Sequence, residues 1–213
     1  MIKGIIFDMD GVIIDSEPAH MQAEKDLFKR YNVPVQDDDW GSMKGRTDLD
    51  IFSSILDKYS VSHVTAQELL EEKVKIYPKY AGHIILFPGF DGLIRYLKPR
   101  YKIALATSSI AAFQQQAFDK FGLHRYFQEI VTAEDVTHGK PHPEPYLLAM
   151  QKLSVSPAES IVIEDADNGI AAGKSAGARV IAVTHSLPEE RLRLADYIVN
   201  DLDQVRKLFE AID

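Results

Sequence analysis

Apolar and polar positions follow two different patterns along this chain. Short apolar runs of strand length occur at the start and again from about residue 100 onward, where they alternate with stretches of helical periodicity. Between about residues 16 and 80, apolar side chains instead recur at helical spacing, and no strand-like run interrupts them. Alternating strands and helices predict right-handed crossovers and a mainly parallel sheet with helices on both faces.

The two patterns predict a division of the chain. Strands are predicted at 2–7, 103–106, 130–131, 161–163, 180–183 and 198–199, and helices at 90–98, 110–121, 143–153, 168–176 and 203–212. A further helix is predicted to start at Ser16, because serine caps helices and Glu17 and Pro18 suit a first turn. We therefore predict an α/β core domain with a Rossmann-like sheet, residues 1–15 and 83–213, and an inserted small helical cap domain, residues 16–82.

Composition and charge exclude several classes of function. The chain is 46% hydrophobic and 26% charged, as is usual for a soluble globular protein. It has no apolar run of membrane-spanning length and no signal-peptide pattern, so we expect a cytoplasmic protein that does not bind membranes. The net charge of -8, without a dense Lys/Arg run, argues against nucleic-acid binding. The absence of cysteine excludes disulfides, thiolate zinc sites and cysteine nucleophiles.

The first predicted strand ends in two acidic residues, Asp8 and Asp10. A buried parallel strand with this ending delivers its carboxylates to the carboxyl edge of the sheet, where α/β proteins bind ligands. Two neighbouring anions repel, so they need a shared proton or a cation, and Mg²⁺ favours carboxylate oxygens. From this stretch alone an acidic turn is an equal alternative, because Asp10-Gly11 is also a common turn sequence.

Three later strands lead into polar groups that suit a phosphate site. Thr107, Ser108 and Ser109 follow one strand, although helix capping explains either serine alone. Lys140 lies in a loop stiffened by Gly139, Pro141 and Pro143, which suits a fixed phosphate better than a solvated surface lysine would. Glu164 and Asp165 end another strand, repeating the arrangement of the first. Capping explains one of these acids, but not both acidic pairs together.

Two other patterns do not support a site. Residues 169–175 resemble a phosphate-binding P-loop, but the spacing between the two glycines is one residue shorter than that motif requires. His138 and His142 are four residues apart, yet Pro141 between them prevents a helical pair of metal ligands. We therefore predict neither a P-loop nor a zinc site.

Taken in order, these stretches resemble the four motifs of the haloacid dehalogenase superfamily of phosphatases and phosphomutases, and its β-phosphoglucomutase-like subgroup. The motifs are Asp8-Met9-Asp10-Gly11-Val12, Thr107, Lys140 in Gly-Lys-Pro-His-Pro, and Glu164-Asp165 followed by Asn168-Gly169-Ile170. The resemblance extends over essentially the whole chain. The aspartate two residues after Asp8 argues against the dehalogenase branch.

The resemblance implies a role for each motif residue. Asp8 is expected to be the nucleophile that forms an aspartyl-phosphate, and Asp10 the general acid and base. Mg²⁺ is expected to be held by Asp8, the Asp10 backbone carbonyl and Asp165, with Glu164 either bound to it or one shell further out. The phosphoryl oxygens are expected to be stabilised by Thr107, Ser108 and Lys140.

The inserted helical block resembles the small cap of the superfamily, hinged near residues 15–16 and 81–82. Arg46 is then expected to contact the distal end of the substrate, His20 to lie beside Asp10, and Lys73 to approach the substrate. Without the resemblance, Arg46 and Lys73 read as solvated helix charges and His20 as a packed side chain. Cap closure would exclude water from the site.

The sequence leaves three functions open. The first is an Mg²⁺-dependent phosphatase, expected to be monomeric, acting on a small phosphorylated metabolite such as a sugar phosphate. The second is a phosphomutase of the β-phosphoglucomutase type, which returns the phosphoryl group to a sugar hydroxyl. The third is a non-catalytic binding protein with the same fold, for which loss of a motif carboxylate is expected, and none is lost.

Overall fold

The computed structural model describes residues 1–40 and 47–212. Contacts between Cα atoms divide the chain into two compact units, one comprising Met1–Asp15 and Ile85–Asp213, the other Ser16–Ile84. We call them the core unit and the helical unit. The strands are β1 (Gly4–Phe7), β2 (Ile14–Asp15), β3 (Ile85–Leu86), β4 (Lys102–Ala106), β5 (Glu129–Val131), β6 (Ser160–Glu164), β7 (Arg179–Val183) and β8 (Tyr197–Val199). The α-helices are α1 (Glu17–Arg30), α2 (Asp48–Lys58), α3 (Ala66–Ile76), α4 (Phe90–Leu97), α5 (Ala111–Phe121), α6 (Glu144–Leu153), α7 (Asp167–Ser175) and α8 (Leu202–Ile212).

The core unit is built on a six-stranded parallel sheet with the strand order β5-β4-β1-β6-β7-β8. The predicted α/β fold is confirmed, and the predicted ends of the strands and helices listed for this unit differ from the observed ones by at most two residues. The antiparallel pair of two-residue strands β2 and β3 has no counterpart among the predicted elements. In the part of the chain that the structure describes, no helix is both long and apolar enough to cross a membrane.

Both faces of the sheet are covered. Successive side chains of a strand point to opposite faces, so β1 contributes to two apolar layers. Ile6 belongs to a buried cluster that includes Tyr146 of α6 and Ile170 of α7. On the other face, the ring of Phe7 makes edge-to-face contacts with Phe90 of α4 and with Phe127, at centroid distances of 6.1 and 6.0 Å. The central strand β1 is thereby fully buried.

The strand register brings the polar groups to one edge of the sheet. Phe7, the last residue of β1, pairs with Leu105 of β4 and with Ile163 of β6. Asp8 follows Phe7, and its backbone N–H donates to the carbonyl of Ile163 at 3.0 Å. Because all three strands are parallel, their carboxyl ends lie side by side, and the side chains that follow them are gathered at this edge.

The helical unit has an apolar core of its own. α1 begins at Glu17, as predicted, although Ser16 makes no side-chain capping hydrogen bond. The apolar faces of α1, α2 and α3 form one buried cluster that includes Leu27, Phe52 and Leu69. Thr47 caps α2 by accepting a hydrogen bond from the Asp50 N–H, and Thr65 forms a capping box with Glu68 at the start of α3.

A lysine is buried in this unit, Lys73 of α3. Its ammonium donates to Glu24 Oε1 of α1 at 2.7 Å and also to Asp48 at the start of α2, so it joins all three helices. It also lies 5.6 Å from the centre of the Phe52 ring. Burial lowers the pKa of Lys73, but Asp48 and Glu24 outweigh burial and raise it above its ordinary value. The ammonium therefore stays charged and holds the three helices together.

We expect Lys73→Met to lower the free energy of unfolding by about 3 kcal/mol, because it leaves the buried Glu24 carboxylate without its cation. Thermal and denaturant unfolding at pH 7 measure the loss. Lys75→Met, on the same helix, is the matched control: the Lys75 ammonium is 69% exposed and pairs with Glu72, so a change below about 0.5 kcal/mol is expected. Equal effects from the two variants would contradict a structural role for the buried lysine.

Candidate active site

Three carboxylates meet at the carboxyl edge of the sheet. Asp8, which follows β1, and Glu164 and Asp165 at the end of β6 each place an oxygen within 4.8 Å of the others. All three residues are buried, with exposed fractions of 7%, 1% and 4%. Such a concentration of buried negative charge is unfavourable unless cations are placed beside it.

One of these cations is Lys140. Its ammonium donates to Asp8 Oδ1 at 2.6 Å and to Glu164 Oε1 at 2.7 Å, and its side chain is 6% exposed. Burial lowers the pKa of Lys140, but the Asp8 and Glu164 carboxylates outweigh burial and raise it above its usual range. Lys140 is therefore a fixed positive charge that faces Asp8.

One lysine does not balance three carboxylates. Burial raises the pKa of Asp8 to about 7, with Lys140 opposing and Glu164 and Asp10 adding to the shift. Burial, together with the charges of Glu164 and Asp8, raises the pKa of Asp165 well above its ordinary value. Both shifts express the cost of keeping these two carboxylates ionised. A divalent cation bound to their oxygens would remove that cost, so the donor set fits a hard cation such as Mg²⁺.

Glu164 differs from the other two carboxylates because protein donors surround it. Its Oε1 accepts from Lys140 at 2.7 Å and from the Tyr146 hydroxyl at 2.7 Å. Its Oε2 accepts from the backbone N–H groups of Asp165 at 2.9 Å and Ala166 at 3.1 Å. These four bonds use the roughly four acceptor positions that a carboxylate offers. They favour a role in holding Lys140 over direct binding of a cation.

Two glycines give the carboxylates their space. A Cβ on Gly169, in α7, would lie 1.6 Å from Glu164 Oε1, and a Cβ on Gly11 would lie 1.8 Å from Asp165 Oδ2. Gly11 also has φ +83°, a backbone conformation that favours glycine. Both positions therefore require glycine if the carboxylates are to keep these positions.

The Asp10 carboxylate is bound by hydroxyl groups of the turn after β4. Its Oδ2 accepts from the Ser109 hydroxyl at 2.8 Å and from the Thr107 hydroxyl at 3.3 Å. The Thr107 oxygen in turn accepts from the Ser109 backbone N–H at 3.0 Å. Thr107 is buried, whereas Ser108, predicted to bind phosphate, is exposed at the same turn. The turn after β4 therefore orients the Asp10 carboxylate.

The segment after β7 supplies two residues, His185 and Ser186, whose contacts sequence reasoning missed. His185 donates from Nδ1 to the Gly11 carbonyl at 2.9 Å and stacks on Phe87 at a centroid distance of 4.0 Å. Burial lowers the pKa of His185, which keeps the ring neutral near pH 7. The Ser186 side chain hydrogen bonds to Asp165. Sequence reasoning could have found His185 and Ser186, because they follow β7, a strand of the same parallel sheet.

Glu144, at the start of α6, closes the loop that carries Lys140. Its carboxylate accepts from the backbone N–H groups of Thr137 at 2.8 Å and His138 at 3.1 Å. Although Pro141 prevents a helix here, the rings of His138 and His142 approach to 4.7 Å. His138 Nδ1 bonds to Glu144 Oε2 at 3.0 Å, and His142 Nδ1 accepts the Glu144 N–H at 3.3 Å. These groups are thus used in closing the loop.

The predicted cap residues lie in the helical unit. His20 packs its ring against Tyr77 at a centroid distance of 4.7 Å. Lys73, expected to approach the substrate, is fully buried, and the ion pairs described above favour a structural role instead. Arg46 lies outside the described residues.

Comparisons with known proteins cover nearly the whole chain. Residues 5–183 match the family model described as haloacid dehalogenase-like hydrolase. A phosphorylated carbohydrates phosphatase of Thermotoga maritima is 32% identical, over 91% of this chain and 90% of the relative. A beta-phosphoglucomutase of Bacillus subtilis is 34% identical, over 88% of this chain and 85% of the relative. The crystal structure of beta-phosphoglucomutase from Clostridium difficile has a TM-score of 0.84 and 29% identity, and covers 100% of this chain and 96% of its own.

Proposed function

This chain belongs to the haloacid dehalogenase-like hydrolases, and we propose that it hydrolyses a small phosphorylated metabolite, such as a sugar phosphate, through an aspartyl-phosphate on Asp8. Membership confirms the resemblance found in the motifs. It also identifies the chain as an enzyme, either a phosphatase or a phosphomutase. The observation that carries the proposal is the direct bond between Lys140 and Asp8 beside the buried Asp165.

In this proposal Asp8 attacks phosphorus and Lys140 stabilises the transferred group. The carboxylate oxygen forms a bond to phosphorus as the bond from phosphorus to the leaving oxygen breaks. The Lys140 ammonium, which faces the Asp8 oxygen, is placed to offset the negative charge on the phosphoryl oxygens as they approach. Thr107 and Ser108, at the turn after β4, supply hydroxyl and backbone N–H groups to the same oxygens.

Asp8, Asp165 and the backbone carbonyl of Asp10 would hold Mg²⁺. Bound there, the ion would neutralise the repulsion between the Asp8 carboxylate and the anionic substrate. The donor set supports this assignment, because Asp8 and Asp165 are buried oxygen donors whose pKa values are both raised. Glu164 is assigned instead to holding Lys140, because its oxygens already accept four protein hydrogen bonds.

Asp10 acts as the proton donor and acceptor in this proposal. Its protonated form donates to the leaving oxygen, and the resulting carboxylate then takes a proton from the water that hydrolyses the aspartyl-phosphate. The Ser109 hydroxyl, 2.8 Å from one oxygen of Asp10, fixes the direction of the carboxyl group and leaves the Thr107 hydroxyl to donate to the phosphoryl group. Proton transfer by one group in both half-reactions requires such a fixed orientation.

The helical unit is proposed to be the cap, with hinges near residues 15–16 and 81–82 and with His20 and Arg46 directed to the substrate. The names of the relatives support a phosphorylated carbohydrate as the substrate class, since one is a phosphorylated carbohydrates phosphatase. The second candidate is a phosphomutase of the β-phosphoglucomutase type, and the 34% identity to a beta-phosphoglucomutase favours it. A non-catalytic binding protein is disfavoured because every motif carboxylate is present.

Assays with a panel of sugar phosphates, with and without Mg²⁺, test the proposal and separate the two activities. We expect free phosphate to be released from at least one member of the panel, and we expect EDTA to abolish the release and added Mg²⁺ to restore it. β-Glucose 1-phosphate is assayed in parallel for glucose 6-phosphate. Formation of glucose 6-phosphate without free phosphate would refute the hydrolase and support the mutase. Unchanged activity after removal of divalent ions would refute the metal assignment.

A further inference from the structure

Tyr146, in the first turns of α6, is a buried tyrosine whose polar end reaches the site. Its exposed fraction is 0%, and its ring belongs to the apolar cluster that packs α6 against the sheet. The hydroxyl is not needed for that packing, because a phenylalanine ring would fill the same space. A buried hydroxyl requires a hydrogen-bond partner, and here the partner is the motif carboxylate Glu164.

Tyr146 contacts both members of the Lys140–Glu164 ion pair. Its hydroxyl donates to Glu164 Oε1 at 2.7 Å, the same oxygen that accepts from Lys140 at 2.7 Å. The Lys140 ammonium also lies 4.8 Å from the centre of the Tyr146 ring, within the range of a cation–π interaction. The ammonium also donates to Asp8 Oδ1 at 2.6 Å. One tyrosine thus contacts the lysine through its ring and the carboxylate through its hydroxyl.

We propose that Tyr146 is a positioning residue that keeps Lys140 directed at Asp8. Its hydroxyl donates to the same Glu164 oxygen that binds the Lys140 ammonium. Its ring limits where the ammonium can move. This inference rests on the proposed function, because it assigns Lys140 to the transferred phosphoryl group. Tyr146 acts through Glu164 and Lys140, not by contact with the nucleophile or the substrate.

The distribution of hydrogen bonds on Glu164 supports this role. Oε2 is fixed by two backbone N–H groups, so the carboxylate cannot turn freely. Oε1 is therefore shared between Tyr146 and Lys140, and the tyrosine moderates how strongly this oxygen attracts the ammonium. Burial, with the Glu164 and Asp8 charges adding to it, raises the pKa of Tyr146 well above its ordinary value, so the hydroxyl keeps its proton and remains a donor.

Removal of the hydroxyl should therefore draw Lys140 toward Glu164 and away from Asp8. The ring contacts persist in Tyr146→Phe, and among the residues that the structure describes Lys140 is then the side-chain donor left to this Glu164 oxygen. Binding of an anion that needs the lysine should weaken. Binding of a cation to Asp8 and Asp165 should change little, because the Tyr146 hydroxyl bonds to Glu164, which is assigned to holding Lys140 and not the cation.

The test measures orthovanadate affinity in the presence of Mg²⁺ and, separately, Mg²⁺ affinity by calorimetry, in the native chain and in Tyr146→Phe. We expect orthovanadate to bind about fivefold to tenfold more weakly and Mg²⁺ affinity to stay within about twofold. We also expect kcat/KM to fall by the same factor for aryl and alkyl phosphates, because Lys140 serves the transferred group and not the leaving group. Native-like orthovanadate affinity, or an equal loss of Mg²⁺ affinity, would overturn the proposal.

Two further variants separate positioning from packing. Tyr126→Phe is the matched control, since the Tyr126 hydroxyl accepts from Arg125 in the same unit, and we expect no change in either affinity. 4-Aminophenylalanine at position 146 restores a weaker donor on the same ring. The expected order of orthovanadate affinity is native, then the amino variant, then phenylalanine. Any other order contradicts the role, and the amino variant still provides the test if Tyr146→Phe does not fold.

Failure of this inference differs from failure of the proposed function. If the chain does not transfer phosphoryl groups, the native chain itself fails to turn over sugar phosphates or to bind orthovanadate with Mg²⁺. If only the role of Tyr146 is wrong, the native chain is active, and Tyr146→Phe either binds orthovanadate as the native chain does or loses Mg²⁺ affinity to the same extent.

Discussion

Asp8→Asn is expected to lower kcat by about 10⁴-fold or more for every phosphate ester, because the amide oxygen cannot act as the nucleophile that captures phosphorus. The substitution changes little else at the site, since asparagine has nearly the same shape and Lys140 keeps Glu164 as a partner. Steady-state assays with the best substrate of the panel measure the loss. Brief reaction with a ³²P-labelled substrate should leave a covalent label on the native chain and none on the variant.

Folding should survive this change. Burial raises the pKa of Asp8 from 3.8 to about 7, so the metal-free native chain holds a proton there that the unfolded chain has released. The free energy of unfolding of the native chain, relative to that of Asp8→Asn, is therefore expected to fall as pH rises from about 4 to about 7. At pH 7 the variant should have a melting temperature no lower than that of the native chain. Asp91→Asn, at an exposed position of α4, is the control and should retain full activity. Turnover by Asp8→Asn would refute the assignment of the nucleophile.

The second large effect is expected from Asp10→Asn, which should lower kcat/KM, the measure of aspartyl-phosphate formation, by about 10³-fold for alkyl phosphates and much less for aryl phosphates. An alkoxide is a poor leaving group and needs a proton from Asp10, whereas a nitrophenolate leaves without one. Asparagine retains an oxygen that can accept from Ser109, so the geometry of the turn after β4 is preserved. A series of phosphate esters with leaving groups of increasing pKa measures the dependence.

Breakdown of the aspartyl-phosphate also depends on Asp10, so trapped intermediate should accumulate in Asp10→Asn with an aryl phosphate. Ser109→Ala is the companion variant: it removes a hydroxyl from the Asp10 oxygen without removing the acid, and a loss of about tenfold is expected. An equal loss of kcat/KM for aryl and alkyl esters in Asp10→Asn would contradict its role as the acid.

Sequence periodicity predicted the core unit well, because its strands are short and strongly apolar. β4, β6 and β7 each extend one residue beyond the predicted run at the amino-terminal end, where polar residues begin the strands. The pair β2 and β3 was missed because two-residue strands have no periodicity to detect. The motif spacing also led to the family directly, since the four motifs occur in order along the chain.

Contacts between elements were beyond the reach of the sequence. Lys73 has the pattern of a solvated helix lysine, yet the packing of three helices buries it between Glu24 and Asp48. Tyr146 has the pattern of an ordinary core aromatic, and its contact with Glu164 depends on how α6 docks on the sheet. The hydrogen bond from the Ser109 hydroxyl to Asp10 was also not predictable, because it depends on the conformation of the turn after β4.

The sequence alone determined which chemical groups would stand at one edge of the sheet, because parallel strands that end in Asp8, Thr107 and Glu164 must present those ends together. The tertiary structure decided which hydrogen-bond and ion-pair partners each of these groups has. Whether the oxygens of Glu164 face protein donors or a cation depends on helix docking, side-chain rotamers and the space left by Gly169. Hydrophobic periodicity describes neighbouring positions in the chain, so it cannot predict contacts between residues that are far apart in the chain.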